Sequence, residues 1–319
     1  MSSTGVARPR GPGNPSFKGR SRLLRSVRRH WVAVAMLAPS AVAVAIFVYG
    51  FILWSLRVSL SEWQGLIPDY TWAGLANFAE LVADRRFHIG LRNTLVFTTV
   101  FVAGTVAVGL ALATLLDRHV PGEGIFRTLF LFPLAISLIV TGVAWRWLMN
   151  PAVGERITGL NLLFSGVGLD PLISAWHTSD PPFGIAFVAL PAVWQMSGFT
   201  MALFLAGMRS IPEELKEAAR VEGASEYQIY RRIVIPLLRP VLLSALIILG
   251  HLSLKVFDLI VALTGRDIRL DVPSIYMWTT TFDANNFGRG AAIGIVLLVS
   301  VAVLVVPYLI WTLRREHEL

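Results

Sequence analysis

Six stretches of this chain are each long and apolar enough to cross a bilayer: about 31–56, 93–116, 126–147, 184–207, 240–263 and 290–313. A helix needs roughly 20 such residues to span about 30 Å of hydrocarbon. Inside lipid a spanning segment must satisfy its own backbone hydrogen bonds, so runs of this length restrict the chain to an all-α membrane protein with six transmembrane helices. The charge content agrees, because only 15% of residues are charged where a soluble domain carries about a quarter. Pro39, Pro133, Pro191 and Pro307 fall inside spans one, three, four and six and predict a kink in each.

The formal charge of +8 is confined to one place. Residues 1–30 hold eight Lys/Arg and no Asp/Glu, and the remaining 289 residues balance 20 bases against 20 acids. A Pro/Gly/Ser-rich basic segment directly before the first span reads as a disordered cytoplasmic tail, not as a nucleic-acid surface. The domain organisation is then tail 1–30 and a six-helix domain 31–319. With the N-terminus cytoplasmic, the inner segments carry 18 Lys/Arg and the outer ones nine, the bias expected of a plasma-membrane protein with both termini inside. The first apolar run is too long for a secretory signal core and reads as an uncleaved span. The outer loops 57–92 and 148–183 contain Trp63, Trp72 and Trp176, with Trp147 at the edge of the second, and these read as an interfacial belt or as contacts for an extracytoplasmic partner.

Between spans four and five the chain turns polar over 209–239, with six bases and five acids in mixed order over 209–236 and on to Arg239. Ser210-Ile211-Pro212-Glu213 fits a capping box that starts a helix, and Gly223 can end that helix in a left-handed conformation. Ser225-Glu226-Tyr227-Gln228 fits a second capping box, and Pro236 is expected to end the second helix before the fifth span begins near Pro240. Such a pair could lie on lipid headgroups. Its small apolar faces, with Ala218 and Ala219 beside the turn, suit close approach by another protein better.

The same loop carries Glu217-Ala218-Ala219, then Gly223 after three residues, then Ile233-Val234-Ile235-Pro236 after nine. This resembles the signature loop of the membrane subunits of ABC importers, with Ile235 replacing a leucine. Asn77-Phe78, Leu129 to Pro133, Trp145-Arg146-Trp147, Ile211 to Leu215 and Phe287 to Ala292 are similar to the sugar-permease branch of that superfamily. Arg266-Asp267-Ile268-Arg269 departs from it where many relatives have a Gly-Gly-Pro segment. The resemblance implies that Glu217, Ala218, Ala219, Glu222, Gly223, Ile233 and Pro236 contact a cytoplasmic ATPase. It also implies a second homologous permease subunit, two ATPase subunits and an extracytoplasmic sugar-binding protein as partners. The three lysines, Lys18, Lys216 and Lys255, follow Phe17, Leu215 and Leu254, so the chain has no Gly-Lys-Ser/Thr phosphate cradle. ATP and Mg²⁺ are therefore expected on a partner chain. This chain is expected to bind no cofactor and no metal and not to be an enzyme.

For the substrate path the sequence offers two groups. In span five His251, Lys255 and Asp258 recur at helical spacing, with Ser253 among them, and charges in a span usually face the bundle interior. Lys255 and Asp258 are spaced to pair, either as a tie between helices or along the path. In span four Gln195 and Phe199 supply an amide and an aromatic face suited to a sugar ring. A competing reading is a self-sufficient secondary transporter with the His251/Lys255/Asp258 stripe as a proton relay.

Overall fold

A computed structural model of the chain describes residues 35–118 and 121–316. The basic tail, with its expected disorder, and the first residues of span one lie outside the described residues. Residues up to Trp54 form one unit and Ser55 onward a second. The described part of the first unit is a helix that runs on through Pro39 and turns π-helical over Ala45–Gly50. It continues to Ser59, and Ala35–Ser59 is α1.

The second unit is helical throughout, with two isolated β-bridges among its described residues. After α1 come α2 (Ala76–Ala83) and the long α3 (Arg85–Leu116). The stretch expected as the third span is α4 (Glu123–Ala135) followed by α5 (Leu138–Leu148), and that expected as the fourth is α7 (Phe183–Arg209) after a short α6 (Gly159–Gly166). The loop holds α8 (Glu213–Val221) and α9 (Glu226–Leu237), and the fifth span begins as α10 (Arg239–Leu254). Then follow α11 (Asp258–Thr264), α12 (Pro273–Trp278) and α13 (Phe287–Glu316).

Four helices are unbroken candidate spans, and two pairs qualify only as bent units: α4 with α5 at 98°, and α9 with α10 at 64°. Of the four prolines expected to kink a span, only Pro133 coincides with a break, and α7 and α13 run on through Pro191 and Pro307. At Pro133 the last turn of α4 tightens to a 3₁₀ helix over Phe132–Ala135, and Ser137 restarts the chain as a side-chain cap accepting from the Val140 N–H at 3.3 Å. The carbonyl of Ile136, freed by the break, accepts the Gln195 amide at 2.6 Å. That bond makes a broken backbone tolerable at membrane depth.

The fifth span also departs from a single helix. Lys255 leaves the helical region and Phe257 sits at φ −141°, ψ −65°, so α11 starts afresh at Asp258. The carbonyl of Val256 in this gap is claimed by the Ser274 hydroxyl. Asp258 then lies at a helix N-terminus, where a negative charge is favoured.

Two apolar clusters organise the bundle. One gathers Phe97 and Phe101 of α3, Ile185 and Val188 of α7, Leu249 of α10 and Ile260 of α11. The other joins Ala113 and Leu116 of α3, Met201 and Phe204 of α7, and Ile229 and Val234 of α9. In lipid such clusters hold by close packing, not by exclusion of water. Gly198 shows how close: a side chain there would meet the Phe130 carbonyl of α4.

Of the tryptophans expected to form a belt, Trp176 belongs to the core instead. It is 6% exposed and its indole donates to Asn161 Oδ1 at 2.9 Å, while Asn161 donates to the Ser174 carbonyl at 2.9 Å. Phe164 and Phe187 flank its ring. Trp72 and Trp147 remain exposed. The Arg266 to Arg269 segment is ordered as well, with Arg266 on Asp283 at 3.0 Å and 4.3 Å over the Trp278 ring.

Candidate functional site

The loop is two helices joined by a glycine turn. Gly223 has φ +85°, a left-handed conformation that a side chain would strain, and it ends α8 as expected. The second capping box is present, with Ser225 Oγ accepting from the Gln228 N–H and Gln228 accepting from the Ser225 N–H. The first is not. Pro212 is itself the residue before α8 and makes no side-chain cap, because Ser210 closes α7 and donates its hydroxyl to the Gly207 carbonyl at 2.8 Å. Pro236 does not end α9 either. It sits in the first turn of a short helical segment, Ile235–Leu237, after a π-helical stretch over Tyr230–Val234. A wide turn can absorb the bond that proline removes, and the bend falls at Leu238, between α9 and α10.

Glu217, Ala218, Glu222 and Gly223 are exposed, whereas Ala219, Ile233 and Pro236 are half-buried, with Ala219 packed against the second apolar cluster. The exposed side also carries apolar groups: Leu215, Val221 (89% exposed) and Tyr227. Arg220 pairs with Glu213 of its own helix at 3.1 Å and reaches across the glycine turn to Glu226 at 2.8 Å. Hydrogen bonds from Arg220 and then Lys216 hold the Glu213 carboxyl below its usual range.

Beneath the loop lies a polar joint that the sequence reading missed. Asp117, the residue after α3, accepts from Tyr230 Oη at 2.7 Å and pairs with Lys216 Nζ at 3.4 Å. Lys216 also meets Glu213 at 3.2 Å. Both Asp117 and Lys216 are buried. Burial, and then the Asp117 carboxylate, raises the Tyr230 phenol above its ordinary range, so it stays a donor. A cleft of about 1050 Å³ opens beside them, bounded by Glu123, Arg209, Glu213 and Glu226, with Arg209 paired to Glu123 at 2.7 Å. No local sequence signal marks this joint.

A second cavity, of about 430 Å³, lies where the two broken spans meet. Gln195, Ser253, Lys255 and Asp258 line it, with Phe97, Phe101 and Phe257 supplying aromatic faces. Four of the six residues expected on the path are thus brought together, and His251 and Phe199 are not on the lining. The expected single helical face does not exist, because the chain unwinds between Lys255 and Phe257, and among the described ion pairs Lys255 and Asp258 are not joined. Gln195 spends its amide on Ile136, which leaves its buried Oε1 without a partner. Ser253 receives the Thr98 hydroxyl at 2.9 Å. Pro133 followed by Ser137 was the one signal for the break that shapes this cavity; the gap at Lys255–Phe257 has neither proline nor glycine.

Comparison with known proteins gives these features a setting. Residues 105–314 match the family described as binding-protein-dependent transport system inner membrane component. A probable ABC transporter permease protein of Pyrococcus horikoshii is 42% identical over 89% of this chain and 97% of its own length. The xylose/arabinose import permease protein of Haloferax volcanii is 33% identical over 86% of each chain. The trehalose/maltose transport system permease protein of Thermococcus litoralis is 30% identical over 88% of this chain and 94% of its own. In fold the chain resembles a subunit of a bacterial ABC transporter involved in import of the acidic polysaccharide alginate, with TM-score 0.75, 24% identity and coverage of 92% and 99%. With more than half its length matched and relatives of this identity and coverage, the chain belongs to the family of inner membrane components of binding-protein-dependent transport systems, the permeases of ABC transporters.

Proposed function

We propose that this chain is the permease subunit of an ATP-driven importer that moves a carbohydrate across the plasma membrane. In this reading both termini and the 209–239 loop face the cytoplasm, and α8 and α9 seat in a separate ATPase that binds ATP and Mg²⁺. A second homologous permease subunit completes the pathway, two ATPase subunits drive it, and an extracytoplasmic binding protein delivers the sugar. The observation that carries the coupling role is the loop itself. It is packed onto the bundle through Ile229 and Val234, yet it turns Leu215, Val221 and Tyr227 outward. Exposed apolar side chains on an ordered polar segment mark a protein contact.

Closure of the ATPases would move α8 and α9 as levers, and the bundle would alternate between outward- and inward-facing states. The 430 Å³ cavity, with an unpartnered amide oxygen, a hydroxyl, two opposite charges and aromatic faces, has the mixed lining that a sugar's hydroxyls and C–H face require. Lys255 and Asp258 are exposed on this single chain. Charges at membrane depth do not face lipid, so the second subunit would cover them.

The test is uptake of radiolabelled pentoses, hexoses and disaccharides by cells expressing the assembled system. Glu217→Lys and Gly223→Trp are expected to abolish uptake while membrane insertion persists. Uptake at the unsubstituted level by both variants would overturn the coupling role. An empty response across the whole sugar panel by the unsubstituted system would overturn the substrate class.

A further inference from the structure

The buried joint under the loop has a feature that helix stability does not explain. Asp117 follows the last turn of α3, where the helix dipole disfavours a negative charge. It is also buried, and a buried carboxylate is tolerated only with partners. Those partners come one from each loop helix: Lys216 from α8 and Tyr230 from α9, both on the same oxygen, Oδ2. Three elements therefore meet at one atom.

We propose that Asp117 is the positioning residue that binds both loop helices to the end of α3, so that the loop and this helix move as one body. The inference rests on the coupling reading for what drives the motion. The apolar contacts of Ile229 and Val234 are non-directional and would let the loop slide. A shared hydrogen-bonded carboxylate fixes register as well as proximity. The need is greatest for α8. Gly223 leaves it hinged to α9 with nothing within 4 Å of the position a side chain would take, and the Arg220–Glu226 clasp across that hinge is exposed. Lys216 is the one cation of α8 turned inward, so its pairing with Asp117 is the buried polar restraint on that helix, beside the apolar contact of Ala219.

The joint is tested on the full chain alone, in lipid nanodiscs, without any partner. The sequence has no cysteine, so spin labels go only where they are introduced. Val108→Cys with Val221→Cys reports α3 against α8, and Val108→Cys with Leu237→Cys reports α3 against α9. Leu91→Cys with Ile268→Cys reports the opposite end of α3; all five positions are exposed. Asp117→Asn is expected to broaden the first two distance distributions about twofold and to leave the third unchanged, since a lost tether frees only the segment it held. Asp117→Glu restores the narrow distributions. Lys216→Met broadens chiefly the α8 pair and Tyr230→Phe chiefly the α9 pair, which keeps the idea testable if Asp117→Asn disturbs all three. Unchanged widths in Asp117→Asn, or equal broadening at both ends of α3 in Lys216→Met and Tyr230→Phe, would overturn it. Because no ATPase or sugar is present, failure here leaves the coupling reading standing, and loss of that reading leaves these distances unaffected.

Discussion

The two ends of α3 carry the same residue under opposite physics. The helix runs 32 residues, about 48 Å at 1.5 Å per residue, with Asp84 before its first turn and Asp117 after its last. Asp84 accepts from the Arg86 N–H at 2.6 Å and the Phe87 N–H at 3.3 Å, so it caps orphan donors where the dipole favours an anion. It also accepts the Tyr276 hydroxyl at 2.7 Å and pairs with Arg289. Arg86 next to it pairs with Asp271 at 2.5 Å and lies 4.7 Å from the Tyr276 ring centre. Asn93 adds bonds to the carbonyls of Arg269 and Asp271, both at 2.9 Å. That end braces α3, α12 and α13 through many small contacts. The Asp117 end opposes its helix dipole and gathers two loop helices on one carboxylate. One end is built as a brace, the other as a joint.

If the contrast is right, the most damaging change is to remove one partner of the joint. Lys216→Ala leaves a buried carboxylate with only the tyrosine, and stranding a buried charge costs about 3–5 kcal/mol. The loss is read as a lowered thermal midpoint of the purified chain, and an unchanged midpoint would remove the distinction between the two ends. Asp84→Ala comes next. It deletes a helix cap and a charge-assisted bond, about 2 kcal/mol together, while Asp84→Asn keeps the cap and recovers roughly half of that. Removing both charges of the joint at once should be gentler. Asp117→Asn with Lys216→Met is expected within about 1 kcal/mol of the parent, because an apolar or neutral replacement of a buried pair is often neutral. A loss as large as that of Lys216→Ala would mean the joint is a brace after all.

The contrast also explains what could be read from sequence. The long apolar helices follow from apolar run length, and the turn at Gly223 and the Ser225–Gln228 box follow from local residue chemistry, so both were legible. The breaks inside spans three and five were not, because both halves of each remain apolar and the average over a span hides a gap of two or three residues. Pro133 hinted at one. Lys255 to Phe257 carries no breaker, and the gap is held by the Ser274 hydroxyl on the Val256 carbonyl and by the Val256 N–H on the Ser253 carbonyl. The same holds for Gln195, which lines the cavity as expected but whose Nε2 also serves the Ile136 carbonyl freed by the break. The joint was the least legible feature. Asp117 meets Lys216 and Tyr230 across 99 and 113 residues of chain, and nothing local to Asp117 announces a partner so far away.

Acidity offers the finest probe of the braced end, because its two carboxylates titrate in opposite senses. Burial alone would raise Asp84. The Tyr276 hydroxyl, the Arg86 and Phe87 N–H groups and Arg289 outweigh it and hold its pKa below 3.8. Its contribution to stability is therefore full above the unfolded value and is lost as pH falls through the lower folded value. Asp271 is raised, with burial outweighing Arg86. Its charged form is disfavoured in the fold, so stability is gained as pH falls through that raised value and saturates below the unfolded one. On acidification the gain from Asp271 arrives first and the loss from Asp84 follows, which gives a shallow maximum in thermal midpoint in the acid range. Asp84→Asn removes the loss from Asp84 alone. Its downturn is expected to be shallower than the parent's, the remainder coming from exposed carboxylates such as Glu213, and a downturn of unchanged depth in Asp84→Asn would assign the acid loss to groups outside the brace.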